Sequence, residues 1–138
     1  MITYHIDQAA GIVVCRALGG IGVMDVAHYL QQLQGDPDFN RNLNALIIVS
    51  DLGSLPAFAM LRYLNPVLAA WTAWRGSTHW AIVLPNIAAR TMAETALKHI
   101  SLHHVEARCF TSERDARRWL SENQLFPPKT VATNSNAA

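Results

Sequence analysis

Asn44–Leu64 reads NALIIVSDLGSLPAFAMLRYL. Ala45–Val49 is too apolar and too short for an amphipathic helix and reads as a strand buried on both faces. A polar turn follows, Ser50-Asp51-Leu52-Gly53-Ser54, and opens at once into an unusually apolar helix. In open α/β sheets, ligands and partners meet the protein at the carboxyl ends of strands, where helix N-termini also point. The turn is therefore the expected functional address, with Asp51 and Ser54 as regulatory or partner-binding candidates. Both residues have a plainer reading. Ser54 suits an N-cap, and Asp in a turn usually bonds its own backbone.

The helical pattern runs from Pro56 to Trp74. Phe58, Leu61, Leu64, Leu68 and Trp71 form one stripe. Met60, Tyr63, Val67 and Trp74 form a second stripe about 100° away. The apolar arc is wider than the stripe a helix needs to lie on one sheet. Arg62, Asn65 and Thr72 lie outside it, among alanines. The second stripe calls for a neighbouring helix of the same domain, another subunit or an apolar ligand. Phe58, Met60, Leu61, Tyr63, Val67, Trp71 and Trp74 are accordingly the candidate interface or ligand-lining residues. Pro66 lacks a backbone donor and is expected to kink or split the helix, with Asn65 capping a second piece.

On the N-terminal side, Ile2–Ile6 and Ile12–Leu18 read as an antiparallel hairpin around a turn at Asp7–Gly11. Gly19-Gly20-Ile21-Gly22 breaks the chain. Val23–Gln34 then has helical spacing, with Asp25 suited to the helix dipole and Gly35 to the C-terminal cap. On the C-terminal side, His79–Leu84 reads as another buried strand. Asn86 caps a helix over Ile87–Ser101 with a core stripe of Ala89, Met92, Ala93, Ala96, Leu97 and Ile100. Val105–Phe110 is the last strand. Ser112 and Asp115 resemble a capping box for a final helix, Glu113–Asn123, burying Ala116, Trp119 and Leu120. The order β-β-α-β-α-β-α-β-α predicts a single-domain α/β fold: a mixed sheet of about five strands, the first antiparallel, with four helices. The domain spans residues 1–125, and 126–138 reads as a disordered tail.

The chain has 138 residues, of which 51% are hydrophobic and 15% charged. It can bury a real core, and its spare apolar surface favours an oligomer or partner. A net charge of +1 gives no basic field for nucleic acid. No apolar run reaches membrane-spanning length, and the N-terminus is a strand pattern, so the expected location is cytoplasmic. Cys15 and Cys109 read as buried reduced thiols. His99 and His103 have i, i+4 spacing, yet no carboxylate or cysteine completes a ligand set by design, and His at a helix end commonly meets free carbonyls. Gly19–Gly22 lacks the rest of a dinucleotide or phosphate-loop motif. Arg114, Arg117 and Arg118 read as a solvated helix face.

In this order, these pieces resemble the SpoIIAA-like proteins, a bacterial branch related to STAS domains. The matching pieces are GIVVCRALGG in the hairpin, the turn GDPDF, the strands LIIVSDL and WAIVLP, and the closing CFTSERDARRWL. The resemblance implies a non-enzymatic STAS-like module, related to anti-sigma factor antagonists and, in fold, to SEC14 lipid carriers. In the antagonists a serine at the start of the helix after the third strand is phosphorylated, and Ser54 holds that place. This chain reads Gly53-Ser54-Leu55-Pro56 where the antagonists have an Asp-Ser-Ser-Gly-like run.

The expectation is a cytoplasmic regulatory module that binds a protein partner through Asp51–Ser54 and the helix beyond. A homodimer through Met60, Tyr63, Val67 and Trp74 is the simplest use of the second stripe. The alternative is a carrier or sensor of a small apolar or lipid-like ligand, in a pocket lined by Phe58, Leu61 and Trp71. An enzyme is the weakest class, and no cofactor or metal is expected.

Overall fold

The computed structural model describes residues 1–50, 61–74 and 78–124. Five strands form one sheet: β1 (Ile2–Asp7), β2 (Ile12–Ala17), β3 (Asn44–Val49), β4 (Thr78–Val83) and β5 (Val105–Phe110). Four helices alternate with them: α1 (Val23–Gln34), α2 (Leu61–Trp74), α3 (Ile87–Leu97) and α4 (Glu113–Glu122). The spatial order of the strands is their chain order, β1-β2-β3-β4-β5. β1 is antiparallel to β2, and every later pair is parallel. This mixed α/β fold is compatible with a STAS-like domain. The tail expected at 126–138 lies outside the described residues.

Sequential order explains how the helices are distributed. Parallel crossovers are right-handed, so three that step in one direction put α1, α2 and α3 on the same face of the sheet. On that face Val13, Ala45 and Trp80 cluster with Leu30 and Leu33 of α1 and Trp71 of α2. Beside them Ala17, Val49, Leu84 and Cys109 cluster with Ala89 and Ala93 of α3. α4, which follows β5, the last of the described strands, covers the other face. There Ala116, Trp119 and Leu120 meet Ile12, Val14, Leu46, Ala81 and Val83. The alternation of these residues along each strand is the period of two expected of a sheet covered on both sides.

Local signals set most boundaries. Gly11, at φ +70°, closes the β1–β2 turn, and its N–H donates to the Asp7 carbonyl. The Asp25 carboxylate accepts the Gly22 N–H at the start of α1. Asn86 and Ser112 accept the N–H groups of Ala89 and Asp115, as N-caps do.

Three expectations need correction. Of the kink or split expected at Pro66, the split does not occur: one helix runs from Leu61 to Trp74, because burial of Leu64 and Trp71 holds it together across the missing hydrogen bond. Asn65 caps nothing there, and its side-chain oxygen instead accepts the Ser101 N–H. α3 ends at Leu97, and the next N–H groups, Lys98 to Ile100, bond three residues back in a tightened turn. Met92 is 48% exposed, since the Ala89–Ala93 line meets the sheet and Met92 is rotated off it.

Candidate functional site

The two parts of the expected site stand differently. Asp51, Ser54, Phe58 and Met60 lie outside the described residues. The approach to the turn is described as far as Ser50, which is exposed and donates its N–H to the Ala17 carbonyl. The turn therefore starts at the carboxyl edge of the parallel strands, as the sequence predicts.

The described part of α2 resolves the use of its two stripes. From the first stripe, Leu64 and Trp71 are buried, and Leu68 packs against the same core. Leu61 is the first described residue of α2, and its side chain lies outside what is described. From the second stripe, Val67 and Trp74 are half-buried, whereas Tyr63 is 58% exposed. The neighbour that covers Val67 and Trp74 is α1, together with the α1–β3 connection. Trp74 stacks on Phe39 with ring centroids 5.9 Å apart and lies 5.2 Å from the Trp71 ring. The Arg41 guanidinium sits 5.6 Å from the Trp74 ring centroid and donates to the Trp74 carbonyl at 3.2 Å. It meets both the aromatic face and the free carbonyl of the helix C-terminus.

The polar side of α2 is not solvated either. Thr72, placed outside the apolar arc, is fully buried, and its hydroxyl accepts the His103 N–H. Asn65 holds Ser101 at 2.7 Å. These two residues dock the α3–β5 connection onto α2, and the Thr78 N–H bonds the carbonyl of His104, whose φ is +59°. Two short polar side chains among alanines were the available signal. Their partners lie more than thirty residues away, so spacing within the helix does not reveal them.

Between α1 and α2 an open groove of about 340 Å³ remains, lined by Ala27, Leu30, Gln31 and Gln34 on one side and Val67, Ala70, Trp71 and Trp74 on the other. Its walls are mostly apolar, with two glutamine amides as polar points. Six of these eight residues, Leu30, Gln31 and Gln34 of α1 and Ala70, Trp71 and Trp74 of α2, belong to the C-terminal halves of their helices. Crossover helices run antiparallel to the strands they connect, so this groove lies at the amino edge of the sheet. The turn after β3 starts at the opposite edge. Phe39, Arg41, Gln31 and Gln34 were missed. Phe39, the apolar residue that ends the polar turn GDPDF, was the one legible hint.

Beneath the groove, Trp80 of β4 belongs to the cluster that holds Leu30 and Trp71. It is 7% exposed, and its indole N–H has no hydrogen-bond partner among the described residues. A buried donor without an acceptor is unusual and costly. Small neighbours on both sides, Ala45 on β3 and Ala107 on β5, make room for the ring.

The titratable groups do not converge. Burial pushes the thiols of Cys15 and Cys109 up to about 11, so both stay protonated at neutral pH. Burial, and then the hydrogen bond to Asp36, raises the Tyr4 phenol. His79 lies 3.7 Å from Glu106, with its ring against Trp119 on the α4 face. His99 and His103 follow the end of α3 and share no helical face. Among the described residues, no three His, Cys, Asp or Glu side chains come together as a metal set. None of the described helices is long and apolar enough to cross a membrane. Comparison with family models, curated proteins and solved structures found no match for this chain.

Proposed function

We propose that this protein is a non-enzymatic binding module of STAS-like type, and that it receives an apolar segment of a protein partner in the groove between α1 and α2. The observation that carries this reading is the aromatic wall at Trp71 and Trp74. Aromatic side chains flanked by polar rims are the usual anchors of protein interfaces. The glutamines Gln31 and Gln34 supply donors and acceptors for a backbone laid along the groove. Regulation through Asp51 and Ser54 belongs to the same proposal. The site of action within the cell is proposed to be the cytoplasm.

The test uses Ala70→Arg, a change at an exposed groove position that leaves the buried residues in place. Proteins that bind the wild-type chain are expected to be lost from the variant. Capture of the same proteins by both would overturn the reading.

A second reading is a carrier of a small apolar ligand. The groove volume falls in the range of small-molecule pockets, and the unpaired Trp80 N–H lies below it. Native mass spectrometry of protein taken from cells is expected to show an added mass in the wild type and none in Ala70→Arg. An unliganded mass in both, after exposure to excess lipid, would remove this reading.

A further inference from the structure

The first strand is the edge of the sheet, and its hydrogen-bonding parity can be read directly. Met1 and Leu18 exchange both backbone bonds, the Met1 ammonium to the Leu18 carbonyl and the Leu18 N–H to the Met1 carbonyl. Pairs alternate along an antiparallel ladder, so Thr3, His5 and Asp7 also point their backbone groups at β2. Ile2, Tyr4 and Ile6 point theirs away from the sheet. Among the described residues nothing bonds to these outward groups.

Natural edges are commonly blunted by lysine, proline, a bulge or shortness. β1 has none of these over its six residues, ITYHID, which are rich in strand-forming types. The opposite edge differs, since β5 alternates Glu106 and Arg108 along its exposed face.

We propose that β1 pairs antiparallel with β1 of a second copy of this chain, about a two-fold axis at Tyr4, to make one continuous ten-stranded sheet. The register follows from parity and length. Residues with outward groups must face one another, so a two-fold axis lies at a residue and not between residues. Only the axis at Tyr4 lets all three outward residues of each copy bond, as Tyr4 with Tyr4 and Ile2 with Ile6. Axes at Thr3 or His5 leave one of them without a strand partner. Charge agrees with this register. Asp7 of each copy falls opposite Met1 of the other, whose ammonium and nearby Arg16 are the positive groups at that end of the hairpin. This surface is separate from the α1–α2 groove and leaves it open.

The test uses two exposed positions on the α4 side of the strand, Thr3 and His5, which face each other across the proposed axis as a non-hydrogen-bonded pair. Such pairs bring Cα atoms to about 4.5 Å, within disulfide reach. Sedimentation of the wild-type chain is expected to give twice the 15.2 kDa mass. A mixture of the single variants Thr3→Cys and His5→Cys, oxidised together, is expected to give a covalent dimer on a non-reducing gel. Each variant alone, and the wild type, are expected to give none. A monomeric mass at the highest soluble concentration would overturn the proposal. So would a dimer that fails to cross-link in the mixture, or one that cross-links equally with Thr3→Cys alone, since that places the axis elsewhere.

Discussion

Thr72 accepts the His103 N–H at 3.0 Å and donates its own proton to the Leu68 carbonyl at 2.9 Å. The hydroxyl is thus used in both directions at a fully buried position. It ties α2 to the connection that leads into β5. Thr72→Val keeps the shape and removes both bonds, leaving the His103 N–H without its acceptor. A loss of about 0.5–1.5 kcal/mol is expected, the net worth of a part-buried hydrogen bond. Thr72→Ser is expected to recover most of it. Urea unfolding of the three proteins is the measurement, and equal midpoints for valine and serine would contradict the role.

The aromatic wall of the groove makes a graded prediction. Trp71 is 8% exposed and packs into the sheet, so Trp71→Ala should cost about 3–5 kcal/mol. Trp74 is half-buried against Phe39 and Arg41, so Trp74→Ala should cost less, about 1–3 kcal/mol. Denaturant midpoints compare them. If Trp74 proved the costlier of the two, the packing described for α2 would be wrong.

Pro66 sits inside α2, where it cannot donate to the carbonyl one turn back. Its side chain is exposed, so replacement removes little packing. Pro66→Ala is expected to stabilise the protein by about 1–3 kcal/mol, from helix propensity less the entropy that proline removes from the unfolded chain. The readout is a higher melting temperature.

Both cysteines predict a fall in stability at high pH. Burial raises each thiol to about 11, above its value in the unfolded chain. Between about pH 9 and pH 11 the unfolded state therefore holds fewer protons than the native state, and stability drops as pH rises. The contribution is complete below about pH 9 and is lost as pH passes the folded value. Tyr4, also raised, acts in the same direction. Melting temperatures taken through this range should decline, and a double substitution of Cys15 and Cys109 by alanine should flatten the decline.

Much of the architecture was legible because its causes are local. The apolar run Ala45–Val49, the alternation at Ile2–Ile6 and the caps at Asn86 and Ser112 each act within a few residues. Strand ends accordingly fall within a residue of expectation. α1 and β5 match at both ends. The burial of Ala116, Trp119 and Leu120 was legible too, from helical spacing alone. Met92 was misplaced because periodicity marks a stripe without saying how far round the sheet reaches.

The candidate site was only partly legible. The sequence by itself determined that α2 carries more apolar surface than one sheet requires, and that the turn after β3 sits at the carboxyl edge. It did not determine who covers that surface. Only the tertiary structure decided that Val67 and Trp74 meet α1 and Phe39, and that Asn65 and Thr72 dock a distant loop. It also put the groove at the amino edge of the sheet, away from Ser50. The physical reason is that propensity, capping and periodicity are short-range, whereas the neighbours of α2 follow from three right-handed crossovers laid in sequence on one face of the sheet.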